Sequence, residues 1–110
     1  MAFANNFEVT RLHLGKGVKT IEEGVFMTFE KLESLTLPEG IQSIGVEAFS
    51  LCGIKELIIP AGITVLESGS FRGSKNLTRI LIPTSVTEIK YAAFRDCDNI
   101  TDVHYAGAKD

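Results

Sequence analysis

The stretch Leu32-Glu33-Ser34-Leu35-Thr36-Leu37-Pro38-Glu39-Gly40-Ile41-Gln42-Ser43-Ile44-Gly45-Val46-Glu47-Ala48-Phe49 decides the fold. Its first part, Leu32-x-x-Leu35-x-Leu37, ends in alternation, the period-two mark of a strand with one buried face. Pro38 follows at once; with a fixed φ and no N–H it cannot continue a ladder, so the strand stops there. Pro38-x-Gly40 then reads as a turn, and Ile41-x-x-Ile44 resumes the apolar pattern after the chain has reversed. From Gly45 to Cys52, around Ala48-Phe49, the pattern is mildly helical and too short for more than a turn or two.

Working outward, the whole stretch recurs. Phenylalanine stands at Phe3, Phe26, Phe49, Phe71 and Phe94, at intervals of 23, 23, 22 and 23 residues. The same shift aligns five further apolar columns. Three of them run Val9, Leu32, Ile54, Leu77, Ile100; then Leu12, Leu35, Leu57, Ile80, Val103; then Leu14, Leu37, Ile59, Ile82, Tyr105. Two more hold Val18, Ile41, Ile63, Val86 and Ile21, Ile44, Leu66, Ile89. No column position is polar, although the chain is only 45% apolar. The only prolines, Pro38, Pro60 and Pro83, all follow the strand, and Gly17, Gly40, Gly62 and Ser85 stand two residues beyond the proline position. The single short interval reflects one residue lost between Phe49 and Leu57, a deficit that Gly53 is expected to absorb in a tighter turn.

A unit of this size cannot bury its apolar stripe alone, whereas stacked units bury Phe on Phe and Leu on Leu. The expected fold is an α/β solenoid of mostly short parallel strands with short helical turns, in five rungs of about 23 residues. Strands are expected near 12–14, 35–37, 57–59, 80–82 and 103–105, with residues 1–110 forming one domain and a strand ladder on the order of 20 Å long.

Composition agrees and narrows the function. With 110 residues and 12.0 kDa the chain is too short for a two-domain enzyme with a cleft between halves. A 45% apolar and 23% charged composition favours a packed core over disorder. A net charge of -3 and a pI near 5.4 leave no basic face for a run of phosphates, which speaks against nucleic acids and anionic membranes. No apolar run approaches the length of about 18 residues needed to span a bilayer. Met1-Ala2-Phe3-Ala4-Asn5-Asn6 has neither the basic start nor the apolar stretch of a signal peptide.

The units Ile41-Gln42-Ser43-Ile44-Gly45-Val46-Glu47-Ala48-Phe49-Ser50-Leu51-Cys52 and Val86-Thr87-Glu88-Ile89-Lys90-Tyr91-Ala92-Ala93-Phe94-Arg95-Asp96-Cys97 resemble the "VxxIGxxAFxxC" pattern of the BspA-like (Treponema type) leucine-rich repeats. The resemblance spans nearly the whole chain. Val25 and Ser70 depart from the small alanine of the pattern, Phe29 and Ser74 from its cysteine, and Gly15 and Ala106 from its proline. It implies a bacterial cell-surface or secreted protein, of a kind also found in parasitic protists, whose repeats bind other proteins or promote adhesion. The partner so implied is a protein, including a host extracellular or surface protein, and no catalytic residue or cofactor is implied. Ala2-Phe3-Ala4 is in phase with the middle of a unit, so the chain is expected to be part of a longer array, while Tyr105-Ala106-Gly107 resembles the run that follows a last repeat.

The residues that carry chemistry elsewhere form no site here. Cys52 and Cys97 share a column two rungs apart, about 9.6 Å, beyond the roughly 7 Å reach of a disulfide, and are expected as buried free thiols. His13 and His104 share a column four rungs apart, about 19 Å, too far to act as a pair. No Cys-x-x-Cys, nucleophile with a base or phosphate loop appears, so an enzyme, a metal and a cofactor are not expected. Asn76-Leu77-Thr78 and Asn99-Ile100-Thr101 match the glycosylation pattern, which matters only in a eukaryotic secretory source.

The outward strand positions are the candidate protein-binding residues. Alternation sends His13, Thr36, Ile58, Leu81 and His104 to the open face, and places Arg11, Ser34, Glu56, Arg79 and Asp102 beside them. Ile58 and Leu81 would make an apolar centre with a charged rim. The ordinary alternative is that β-propensity alone placed Ile and Leu in mid-strand. A second functional alternative is a structural spacer or end-to-end self-associating segment, since a stack without polar caps exposes an apolar rung at each end.

Overall fold

The computed structural model describes residues 8–106. Phe3, the Ala2-Phe3-Ala4 match and Gly107 lie outside the described residues. The chain winds into a solenoid of about four turns with parallel strands. One side carries β1 (Arg11–His13), β3 (Ser34–Thr36), β5 (Glu56–Ile58), β7 (Arg79–Ile82) and β9 (Asp102–Tyr105). The other carries the two-residue strands β2 (Thr20–Ile21), β4 (Ser43–Ile44), β6 (Val65–Leu66) and β8 (Glu88–Ile89). The first set starts one residue earlier than the sequence alternation suggests.

Register follows the apolar columns. Leu12 faces Leu35, and Leu57, Ile80 and Val103 follow one another across β5, β7 and β9. Between the two strand sets the chain reverses through a four-residue turn, with N–H donations from Ile41 to Pro38, Ile63 to Pro60 and Val86 to Pro83 at 3.2, 3.4 and 3.3 Å. Val18 makes the same bond to Gly15 at 3.1 Å, so the turn survives without proline.

The side around the phenylalanines differs from expectation: among the described residues it contains no helix, only successive turns. The reason lies in how consecutive amides are used. The N–H groups of Gly24, Phe26 and Thr28 donate to Val46, Ala48 and Ser50 of the following rung, while Val25, Met27 and Phe29 donate three residues back. Glu47, Phe49 and Leu51 likewise donate to Ser68, Ser70 and Arg72, and Phe71 and Gly73 to Ala93 and Arg95. Every second donor is thus committed to the neighbouring rung and cannot join an i→i−4 ladder. Left-handed residues recur four apart in each unit, Gly24 and Thr28, Glu47 and Leu51, Gly69 and Gly73, Ala92 and Asp96, and interrupt helical propagation.

The columns fill the interior. Phe26, Phe49, Phe71 and Phe94 stack ring on ring, with centroids 5.3, 5.5 and 5.7 Å apart and planes within 13°. Offset aromatic pairs of this kind add about 0.5–1.5 kcal/mol each beyond the area they bury. Among the described residues six exposed or partly exposed ion pairs join adjacent rungs, such as Lys90 with Glu67 at 3.3 Å. Exposed pairs contribute little to stability, about 0–1 kcal/mol each, so they favour rung register over strength.

Two further expectations change. The fifth unit is incomplete among the described residues: β9 has no second short strand after it, so the column members Ile89, Val103 and Tyr105 are exposed instead of buried. Gly53, expected in a tighter turn, lies in no assigned turn; a Cβ there would collide with the Glu30 carbonyl of the preceding rung, so glycine is needed for close approach.

Candidate functional site

The shortened unit has a consequence on the strand side. β1 pairs with β3, and β5 pairs with β7 and β9, yet no ladder joins β3 to β5, nor β4 to β6, among the described residues. Leu14 donates to Thr36 at 3.2 Å and Ile59 to Leu81 at 3.1 Å, but the equivalent bond from Leu37 to the next rung is missing among the described residues. One residue fewer between Phe49 and Leu57 draws the Gly53 segment against Glu30, and although Lys55 still donates to the Glu33 carbonyl at 3.3 Å, no ladder continues from there along β3 and β5. The phenylalanine side remains continuous across this point.

The split leaves a cleft of about 480 Å³ between Leu35, Thr36 and Leu37 on one side and Ile58, Pro60 and Ala61 on the other. Ile58 stands on its wall with 57% of its surface exposed. Leu81, its partner in register, is half-buried, because β7 has a strand on each side whereas β5 has one only on the β7 side. The apolar centre expected on this face is therefore present but unequal, Ile58 contributing most of it.

The charged rim is organised by pairing. Arg79 reaches Glu56 at 3.2 Å through one terminal nitrogen and Asp102 at 3.2 Å through Nε, so one guanidinium links three strands. His104 follows Leu81 in the same outward column and is exposed. Arg11 and His13 lie on β1 opposite Ser34 and Thr36, on the far side of the cleft. The structure thus divides the candidate residues in two, with Thr36 and Ile58 facing each other across the gap.

The thiols lie away from this face. Cys52 is buried and its Sγ–H donates to the Phe26 carbonyl at 3.2 Å; burial pushes its pKa up to about 12. Cys97 is half-buried instead of buried, with no further rung over it among the described residues, and burial raises its pKa as well. Both are free thiols. Among the described residues no group of three His, Cys, Asp or Glu side chains is placed to hold a metal ion. No helix among them is long and apolar enough to cross a membrane.

The cleft itself escaped the sequence reading. Its signal was the 22-residue interval, which marks where one unit is short but not which side of the solenoid opens.

Comparison with known proteins fits this geometry. A family model described as the BspA type leucine rich repeat region matches residues 1–109 in six copies. Among curated proteins no match is found. A leucine-rich repeat protein from Bacteroides ovatus superposes with a TM-score of 0.81 at 26% identity, over 91% of this chain and 26% of that one. A leucine rich cell surface protein from Faecalibacterium prausnitzii gives 0.69 at 29% identity, over 93% of this chain and 33% of that one. A leucine-rich repeat protein from Eubacterium ventriosum gives 0.69 at 18% identity, over 94% of this chain and 34% of that one, a likeness of fold alone. The chain spans about a quarter to a third of the length of these structures. With its repeats matched from end to end by one model and its rungs stacked as in these bacterial proteins, the chain belongs to the BspA-type leucine-rich repeat family.

Proposed function

We propose that the chain is a non-catalytic protein-binding module that engages its partner through the outward strand face. The observation that carries this reading is Ile58, a large aliphatic side chain exposed beside an apolar cleft and bordered by the Glu56–Arg79–Asp102 pairs. An apolar centre inside a polar rim is the usual anatomy of a protein interface. Arg11, His13, Thr36, Leu81 and His104 extend the contact along the strands. Among the described residues the cleft on this face is open to solvent, and no catalytic family is indicated.

The partner is a protein at the cell surface or outside the cell, including a host protein, and the role is adhesion or capture. A cell-surface location is supported by the relative from Faecalibacterium prausnitzii, which is described as a cell surface protein. The test is to block the face. Thr36→Cys, carrying a bulky maleimide in a Cys97→Ser background, should abolish binding to any partner found in a panel of purified extracellular proteins. Serine already fills that column at Ser74, so the background should fold. Undiminished binding of the labelled chain would overturn the reading.

A second reading, a spacer or self-associating segment, is favoured by one observation: the apolar side chains Ile89, Val103 and Tyr105 exposed at the C-terminal end of the stack.

A further inference from the structure

We propose that the solenoid is hinged in its interior: the rungs of β1 to β4 and those of β5 to β9 form two blocks that swing about the phenylalanine side, opening and closing the cleft between β3 and β5. The motion stands whether or not the strand face binds a partner.

In a stack of repeats each rung contacts only its neighbours, so the interface with the fewest bonds is the first to part. The rung of β1 and β2 is tied to that of β3 and β4 on every side, by the β1–β3 and β2–β4 ladders and by the Gly24, Phe26 and Thr28 donors. The rungs of β5/β6 and β7/β8 are tied in the same way, by two ladders and by the Phe71 and Gly73 donors. Between these two blocks both ladders are absent among the described residues. The Leu37 N–H has no acceptor on the β5 rung, although its counterparts Leu14 and Ile59 each donate to the rung that follows.

Burial locates the same seam. Leu35 and Leu37 are only half-buried although a rung lies on either side of them. Across the cleft Leu57 and Ile59, of the same two columns, are 1% and 3% exposed. Beneath the cleft the columns stay closed, with Ile41, Ile44, Ile63 and Leu66 buried. Two of the three sides of this interface are thus held by apolar packing without strand ladders. Such packing is non-directional and lets one block tilt on the other.

The remaining side supplies the axis. Glu47, Phe49 and Leu51 donate across the seam to Ser68, Ser70 and Arg72 at 3.1, 2.9 and 2.6 Å. The Phe49 and Phe71 rings stack with centroids 5.5 Å apart and planes 3° from parallel, and Arg72 pairs with Glu47 at 3.3 Å. Where the chain enters β3 and β5, the bond from Lys55 to Glu33 at 3.3 Å pins the corner. One edge bonded and the opposite edges free is the geometry of a hinge. The swing changes the separation of Thr36 and Ile58, so the width of the cleft is adjustable.

Thiol labelling tests the opening. In the Cys97→Ser background, Leu57→Cys puts a buried thiol at the seam, and Ile80→Cys puts one in the same column inside the second block, where β7 has a strand on each side. Cys52 is buried, lies in the first block and is common to both chains. Without denaturant, and corrected for global unfolding by urea titration, an aromatic disulfide reagent should modify Leu57→Cys at least tenfold faster than Ile80→Cys. Should Leu57→Cys fail to fold, Ile59→Cys compared with Ile82→Cys carries the same expectation. Amide exchange of the wild-type chain tests the axis. The Phe49 N–H, bonded across the seam, should exchange less than tenfold faster than the Phe71 N–H, bonded inside the second block. A labelling difference below tenfold would mean a rigid stack, and a Phe49 amide at least tenfold faster than that of Phe71 would mean rungs that part on every side. Either result overturns the proposal.

Discussion

The thiol of Cys52 donates to the backbone carbonyl of Phe26 on the preceding rung at 3.2 Å, and Cys97 repeats the bond to Phe71 at 3.2 Å. At this position Cys52 and Cys97 act as neutral hydrogen-bond donors between rungs, whereas Phe29 has no such donor. Ser74, in the same column, donates instead to Phe71 of its own rung at 2.8 Å. Neutrality has a measurable consequence. Burial raises the Cys52 pKa from 9.0 to about 12, so the folded chain holds a proton there that the unfolded chain releases. Stability is then fully present below pH 9.0 and falls between 9.0 and about 12, with a limiting slope of about 1.4 kcal/mol per pH unit. Urea titrations across this range should show a steeper loss of stability in the wild type than in Cys52→Ala, the difference reporting Cys52 because the raised Cys97 pKa contributes to both.

Gly53 tests the origin of the split between β3 and β5. A methyl group at this position meets the Glu30 carbonyl, which is backbone and cannot step aside. Gly53→Ala should therefore cost about 1–3 kcal/mol, the usual range for overpacking. Gly17, whose surroundings hold nothing within 4 Å, serves as the comparison, and Gly17→Ala should change stability by no more than about 0.5 kcal/mol. Equal denaturation midpoints for the two variants would show that the short unit is not pressed against its neighbour.

The stacked rings set a graded expectation along the column. Phe49 is fully buried between Phe26 and Phe71, whereas Phe94 ends the column and is only half-buried. Phe49→Ala should cost about 3–5 kcal/mol, as for other buried aromatics, and Phe94→Ala clearly less. Chemical denaturation of both variants checks the order.

Periodicity made the columns, the registers and the proline turns legible, because each rests on one residue type repeating at one interval. Where the repeat is carried by backbone geometry it leaves no such trace. The left-handed positions that replace a helix are glycine at Gly24, Gly69 and Gly73 but Thr28, Glu47, Leu51, Ala92 and Asp96 elsewhere, so no glycine column announced them. Periodicity also treats every column member alike. Val103 and Tyr105 carry the apolar identity of their columns, but burial depends on a rung above, which composition does not encode. On the candidate face, alternation placed Ile58 and the Glu56–Arg79–Asp102 row correctly in register, while the cleft beside Ile58 arises from a break in the ladder between whole rungs.

The most direct test of the account is the effect of Ile58→Glu on partner affinity, measured together with thermal stability. Ile58 is exposed, so the substitution should shift stability by no more than about 0.5 kcal/mol. A charge at the centre of the apolar patch should weaken binding at least tenfold, the equivalent of about 1.4 kcal/mol. An Ile58→Glu chain that folds normally and binds its partner with wild-type affinity would contradict the claim that the strand face is the binding surface.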